Sequence, residues 1–531
     1  MRKILFILVP VLLLVILGVY FLLNYTNPNK ETQSEFDVLE NSSINSAYPI
    51  SGENILSYWN TLPSEIAGEY DNYSQTPLYR EIEEKSGVKL NFEYTPTSYN
   101  DLLIMLASGD VADIIEFDWA QYPGGIEKAI EDGHIRVLND YIENYCPYLY
   151  SYLKENPEID KMIKTDKGQY YIFPLIQKDD LFRTYYGPLI RKDWLDKLNL
   201  QIPETMDEWY MILKKLKEEL KISVPLSFSY GGNMAFCGAY NIWPGYYIEN
   251  GKIVYGPILP EYKEYIITMK KWFDEGLIDP DLSTVNYDHI KKLFQEDKCA
   301  ATVGYAGSNI SSWMNEFSGV KPGFEIVATP YPVLEKGNMP EFGSLSYLCS
   351  LNLTPVISGK CEDVELACRF LDFGYSPQGH MIYNFGVEGE SYEMVDGYPV
   401  YTDKILKSGE SITKSMSRYI RANTRGPFVQ DIRYYEQYLQ VPQAYKALEV
   451  WRKTNMREHK IPPVTHTTEE SVEFSNINQK IKSYVLTMFY KFIYGEESID
   501  NFDNYVNEIY DMGLERAIEI EQNALERYKD R

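Results

Sequence analysis

Residues 76–95 read TPLYREIEEKSGVKLNFEYT, a helix and the strand that follows it. Thr76 stands at the N-cap, Pro77 falls in the first turn, and Gly87 lies just past the end, so the helix carries its own start and stop signals. VKLNFEYT (88–95) then reads as a strand, and ENILSYWN (53–60) as the strand before the helix. Downstream, YNDLLIMLASGD (99–110) gives a second helix stopped by Gly109, and VADIIEF (111–117) a third strand. Strands alternating with helices predict a parallel sheet covered by helices.

The chain has 531 residues, too many for one ordinary core, so two or more lobes are expected. Its net charge of −26 opposes binding to nucleic acid or to an anionic membrane surface. Near the amino terminus, Ile4 to Leu23 carry no charge and follow Arg2 and Lys3. Twenty helical residues rise about 30 Å, the thickness of a bilayer's hydrocarbon, so residues 1–23 are expected to form a cytoplasmic start and a transmembrane anchor. The flanking cations place the rest of the chain outside. The segment lacks the small-residue exit of a cleaved signal peptide, which leaves cleavage as the alternative. Residues 24–51 are polar and aperiodic and read as a flexible tether, which would hold the remainder within about 30 Å of the bilayer.

Further helices show where core is to be found. Thr205 and Glu208 form a capping-box pattern ahead of Trp209, Leu213, Leu216 and Leu220 on one face. Tyr262, Tyr265, Ile266, Met269, Trp272 and Phe273 repeat the spacing before Gly276 and Pro280. From Thr468 onward the chain reads as two amphipathic helical segments separated near YGEESIDN (494–501).

Chemistry is mostly absent from the pattern. Neither a P-loop, a G-x-G-x-x-G after a strand, a G-x-S-x-G elbow nor an H-E-x-x-H helix occurs. DPDLSTVNYD (279–288) is acidic but lacks the glycine of a calcium loop, and the five histidines stand apart from one another and from any cysteine cluster. No metal, cofactor or catalytic residue is expected. Six scattered cysteines, Cys146, Cys237, Cys299, Cys349, Cys361 and Cys368, permit disulfides without specifying any.

Aromatic residues paired with polar ones do recur where strands end: Trp59 with Asn60, Asp118 with Trp119, Trp243 in GAYNIWPG (238–245), and Tyr305 in ATVGYAGSN (301–309). Ligands of open α/β sheets sit beyond the carboxyl ends of strands. A ring there can stack on the flat face of a sugar while a neighbouring Asp or Asn meets its hydroxyls; the competing reading is a ring packed under a loop.

These features accompany a resemblance. LASGDVADIIEFD (106–118), DGHIRVLNDYI (132–142), KGQYYIFPL (167–175), LIRKDWLDKLNLQIPETMDEWYMILKKLK (189–217), WFDEGLIDPD (272–281), LDFGYSPQGHMIYNFGVEGESYEMVDGYPVYTD (371–403) and MGLERAIEIEQNALERY (512–528) resemble, in order, the extracellular solute-binding proteins of ABC importers, family 1 sugar-binding type. The resemblance implies a periplasmic-binding-protein-like fold of two α/β lobes with crossing hinge strands. Lobe 1 would comprise residues 52–178 plus 344–410 and lobe 2 residues 187–335, with a mainly helical region 411–531 packed on both. Hinges would lie near PLIQKDDLFRTYYG (174–187) and PEFGSLSYLC (340–349). Carried over by position, the ligand contacts would be Trp59, Asn60, Asp118, Trp119 and Tyr305, with Arg183, Tyr186, Tyr347 and Glu388 near hinge and cleft. Trp243 completes the candidates.

The function so implied is binding of a sugar or oligosaccharide and its delivery to ABC permease subunits served by a separate ATPase. The protein would be single-pass, held to the cell membrane through residues 4–23 with its globular part outside. Many relatives are lipoproteins with a cysteine at the signal peptide's end; here the first cysteine is Cys146, so the helix itself is expected to anchor. A membrane-anchored carbohydrate-active enzyme, or a sugar sensor on the same fold, are the alternatives.

Overall fold

The computed structural model describes residues 48–92, 99–422 and 424–531. The expected anchor and nearly all of the tether lie outside the described residues, among which no helix is long and apolar enough to cross a membrane.

The opening stretch folds as its local chemistry directs. Thr76 Oγ1 accepts the backbone N–H of Tyr79, Pro77 begins the helix Pro77–Ser86, and Gly87 ends it at φ 76°. A side chain at Gly87 would also collide with the backbone, because its Cβ would stand 2.5 Å from the Ile50 carbonyl oxygen. The strand Ile55–Trp59 pairs in parallel with Lys89–Asn91 on one side and with Ile114–Phe117 on the other. A fourth strand, Thr354–Ile357, closes this lobe 1 sheet antiparallel against Ile114–Phe117.

Lobe 2 has its own mixed sheet. Tyr186–Arg191 lies antiparallel to both Ile326–Ala328 and Cys299–Tyr305, and Val224–Leu226 pairs in parallel with the latter. The helix Met206–Leu220 begins with the complete capping box, and Trp209, Ile212, Leu213 and Leu216 enter the core. Tyr262, Tyr265, Ile266, Met269 and Trp272 do the same from the helix Pro260–Asp274.

A small third sheet joins the two. Leu175–Ile176 pairs antiparallel with Cys349–Ser350 and in parallel with Phe428–Val429, so three passages of the chain meet there. The first two belong to the stretches 174–187 and 340–349 with their immediate continuation; the third comes from the carboxyl-terminal region.

That region is divided among the lobes. Arg421 is buried against lobe 1, where its guanidinium donates to both Glu116 carboxylate oxygens and to the Tyr79 hydroxyl. The helix Pro442–Trp451 packs on lobe 2. The long helix Thr468–Tyr494 contacts Gly125–Glu131 of lobe 1 and Pro260–Asp274 of lobe 2, and it too starts with a full capping box. The second expected segment is broken into Phe502–Asp511 and Leu514–Asp530, because Gly513 takes φ 102° and turns the chain. Arg527 of the last helix and Arg531 just past its end clasp Asp166 of lobe 1, while Gln522 accepts the backbone N–H of Ile253 in lobe 2.

All six cysteines are buried free thiols. In an interior this dry they act as small apolar groups, and burial holds the Cys237 and Cys349 thiols above their ordinary range.

Candidate functional site: an aromatic crevice over the joining sheet

A crevice of about 220 Å3 lies over the third sheet, between the end of a lobe 2 strand and the helix Ile432–Tyr438. Leu175 and Gln177 form part of its floor with Gln430, and Gln177 donates an amide hydrogen bond to Gln430 (2.7 Å). Its walls are rings: Phe182, Tyr185, Tyr305, Tyr434, Tyr435 and Tyr438. Ser308, Thr413, Thr424 and Arg425 add polar groups.

Tyr305 is the last residue of the strand Cys299–Tyr305 and is 46% exposed, high for so large a ring. It stacks on Tyr185 (centroids 5.9 Å, 14° between planes) and touches Tyr186 (4.7 Å). The following turn is fixed by Asn309, whose Oδ1 accepts the Tyr305 backbone N–H at 2.7 Å. Gly307 in that turn admits the opposite wall, since a Cβ there would stand 2.5 Å from the Tyr438 ring. On the facing helix Tyr438 stacks on both Tyr434 and Tyr435. Burial raises the phenol pKa values of Tyr186, Tyr305 and Tyr438, so these hydroxyls stay neutral and able to donate and accept.

Tyr305 alone of the ten residues singled out from sequence lines this crevice among the described residues, with Tyr186 directly behind it. Arg183 is buried at the junction, where it donates to the Ser346 carbonyl (3.0 Å) and to Asp180, tying together two of the crossing stretches. Tyr347 donates its hydroxyl to the Ile461 carbonyl and lies under the Lys460 ammonium. Trp243 packs on Phe342 in a small lobe 2 cluster with Tyr247 and Met456, and Glu388 sits in a loop whose backbone pairs with Tyr392.

The lobe 1 candidates are further in than their position at strand ends suggests. Trp59, Asn60 and Trp119 are each at most 3% exposed, and both indoles rest against Phe117. Trp59 also borders a second hollow of about 230 Å3 beside the helix Tyr99–Ser108. Yet Trp59 Nε1, Asn60 Nδ2, Asp118 Oδ1 and Trp119 Nε1 are all buried without a hydrogen-bond partner among the described residues. Four such atoms at one end of one sheet are conspicuous, because an unsatisfied buried polar group costs about 1–3 kcal/mol.

The residues missed from sequence carry a weak local signal. Tyr434, Tyr435 and Tyr438 in RYYEQYL (433–439) have helical spacing, which reads as ordinary core, and Tyr185 adjoins the chosen Tyr186. Gln177 falls in the stretch 174–187 expected as a hinge, whereas Arg425 and Gln430 carry no signal at all.

Asp279, Asp281 and His289 come together closely enough to share an ion. Asp279 is already satisfied: it accepts from Ser227 Oγ (2.6 Å), from the Asp281 backbone N–H (3.0 Å) and lies 2.9 Å from His289 Nε2.

Two α/β lobes joined by short strands, with a ring-lined crevice at the joint, make an arrangement suited to holding a small ligand. Residues 68–381 match the family model for bacterial extracellular solute-binding protein, and the chain belongs to that family. Lipoprotein LipO of Bacillus subtilis (strain 168) is 27% identical over 353 residues, covering 63% of this chain and 67% of that one. The fructooligosaccharide ABC transporter substrate-binding protein FusA of Streptococcus pneumoniae serotype 4 is 22% identical over 483 residues, 85% of this chain and 87% of its own. A solved structure of S. pneumoniae FusA in complex with kestose superposes with a TM-score of 0.73 at 19% identity, covering 90% of this chain and all of that one, a likeness of fold.

Proposed function

We propose that this chain is the extracytoplasmic substrate-binding component of an ABC transporter, taking a sugar or oligosaccharide in the crevice over the joining sheet. The observation that carries the reading is Tyr305: a half-exposed ring at a strand's carboxyl end, facing a second stack of rings across a crevice edged by hydroxyls. A sugar presents a flat C–H face to such rings and donors and acceptors at its rim. The similarity to FusA, a fructooligosaccharide-binding protein by name, supports the same class of ligand.

The lobes would rock about the strands Leu175–Ile176, Cys349–Ser350 and Phe428–Val429. A ligand touching both sides binds the closed form better and so shifts the population toward it; only that difference in affinity does the work. Asn60 and Asp118 would meet ligand hydroxyls from the lobe 1 side through polar atoms left unpaired among the described residues, with Trp59 and Trp119 packed behind them against Phe117. The closed form would dock on permease subunits with a separate ATPase, and residues 4–23 would hold the protein at the membrane.

The test is a thermal-shift screen of the full-length protein in mild detergent against mono- and oligosaccharides. A ligand at 100 times its Kd stabilises by about 2.7 kcal/mol, a clear rise in Tm. The saccharide recovered afterwards should be chemically unchanged. Conversion to product would favour an enzyme instead, and no shift across the panel would defeat the proposal.

A further inference from the structure

The crevice has one fixed charge. Among the described residues Arg425 is the only lining residue that is a strong acid or base, although the chain as a whole carries 77 Asp and Glu against 51 Lys and Arg. Several buried or half-buried guanidinium groups here find carboxylates, Arg183 with Asp180, Arg191 with Asp193, Arg421 with Glu116, Arg433 with Asp431 and Arg527 with Glu470, while Arg136 is held by the Gly359 and Cys361 carbonyls instead. Arg425 makes one hydrogen bond, from Nη1 to the Thr424 carbonyl (2.8 Å), and among the described residues no carboxylate pairs with it. The residue is exposed, and its side chain borders the crevice. Desolvation lowers its pKa, and so does the charge of the neighbouring Arg421, which Glu116 already engages. The remaining guanidinium donors therefore meet no anion supplied by the described residues.

We propose that Arg425 is the anion-recognising group of the crevice and that the ligand is an acidic saccharide, a sugar chain bearing a carboxylate. The carboxylate takes a forked pair of hydrogen bonds from the guanidinium while a sugar face lies on Tyr305. A neutral sugar would also accept hydrogen bonds from Arg425 but would leave its charge uncompensated. The inference rests on the saccharide-binding reading above.

The experiment is calorimetric titration of the full-length protein with uronate oligosaccharides, each paired with its own carboxyl-reduced, neutral counterpart. At least one acid member should bind tenfold or more tightly than its neutral form, with the margin shrinking as salt rises. Arg425→Gln should abolish that margin, weakening the acid form tenfold or more and the neutral form only by the loss of a neutral hydrogen bond, while leaving the unliganded Tm unchanged, because the wild-type side chain makes only a neighbouring backbone bond. Arg425→Lys should retain part of it. If every neutral form matches or exceeds its acid partner, or if the margin survives Arg425→Gln, the inference is overturned and saccharide binding stands. If a sulfated saccharide shows the margin and no uronate does, carboxylate recognition is overturned too. Failure of neutral and acidic sugars alike would remove both readings.

Discussion

Replacing Tyr305 by Ala tests directly whether this ring meets the ligand, at a modest cost to folding. A buried tyrosine covers about 150–250 Å2, so a ring that is 46% exposed keeps on the order of 100 Å2 from water. At about 25 cal/mol per Å2 that is ~2.5 kcal/mol at most, and less once the area Ala still covers is counted. The turn survives because Asn309 Oδ1 holds the backbone N–H of residue 305, which Ala retains. We therefore expect a stability loss of about 1–2 kcal/mol, read from the urea midpoint. Stacking of a flat ligand on an aromatic ring is worth about 1–3 kcal/mol, taking bases on aromatic platforms as the guide, which is roughly a 5- to 150-fold rise in Kd. Calorimetric titration with the saccharide found in the thermal screen measures it. Tyr305→Phe keeps the ring and should stay within about fivefold of wild type, since one hydrogen bond is worth about 1 kcal/mol. An Ala variant that folds and binds within twofold of wild type would refute the assignment of this ring to the ligand.

Three further substitutions test the frame around the crevice. Arg421→Met leaves Glu116 buried and unpaired and should cost about 3–5 kcal/mol in urea unfolding, with part recovered by adding Glu116→Gln; a cost under 1 kcal/mol would mean the pair is solvated. Gly187→Ala would put a Cβ 2.4 Å from the Trp451 indole nitrogen, and the overpacking should lower stability by about 1–3 kcal/mol. An unchanged urea midpoint would show that the Pro442–Trp451 helix can retreat. Asp372 is fully buried, and burial pushes its pKa up to about 8, although the backbone N–H groups of Tyr148 and Leu149 pull the other way. The folded state thus holds a proton that the unfolded carboxyl, with a pKa near 3.9, has lost. Stability from this group is full below about pH 4 and falls as pH rises toward 8. Asp372→Asn should flatten that stretch of the urea-midpoint profile, and a slope identical to wild type would place the pKa elsewhere.

How far the fold could be read depended on whether its determinants were local. Thr76, Pro77 and Gly87 act within one helix, so the strand, helix, strand unit was legible, as were the capping box at Thr205 and the core faces of the two lobe 2 helices. Pairings that close sheets were not. Thr354–Ile357 joins Ile114–Phe117 across more than 230 residues, and Phe428–Val429 is two residues long with its partner at Leu175–Ile176. Nothing in a two-residue strand announces a partner; only the tertiary setting supplies one. The break at Gly513 had a local sign in DMGLER (511–516), but the apolar spacing runs almost unbroken through it and masked the turn.

The site was legible in kind and less so in position, for a physical reason. Strand ends attract both ligands and covering loops, and the same Trp or Tyr suits either role. Which one it fills depends on whether another layer of chain arrives on top. At Trp119 a layer arrives: the ring is sealed against Phe117 and Tyr122. At Tyr305 the next turn folds aside at Gly307 and the ring stays open. Arg425 poses the converse problem. A guanidinium is informative only by the carboxylate it lacks, and in a chain with so many acids that lack cannot be seen until the fold has paired the rest. Rings can thus be nominated from sequence by where strands end, whereas the charge that would choose among sugars emerges only from what the fold leaves unpaired.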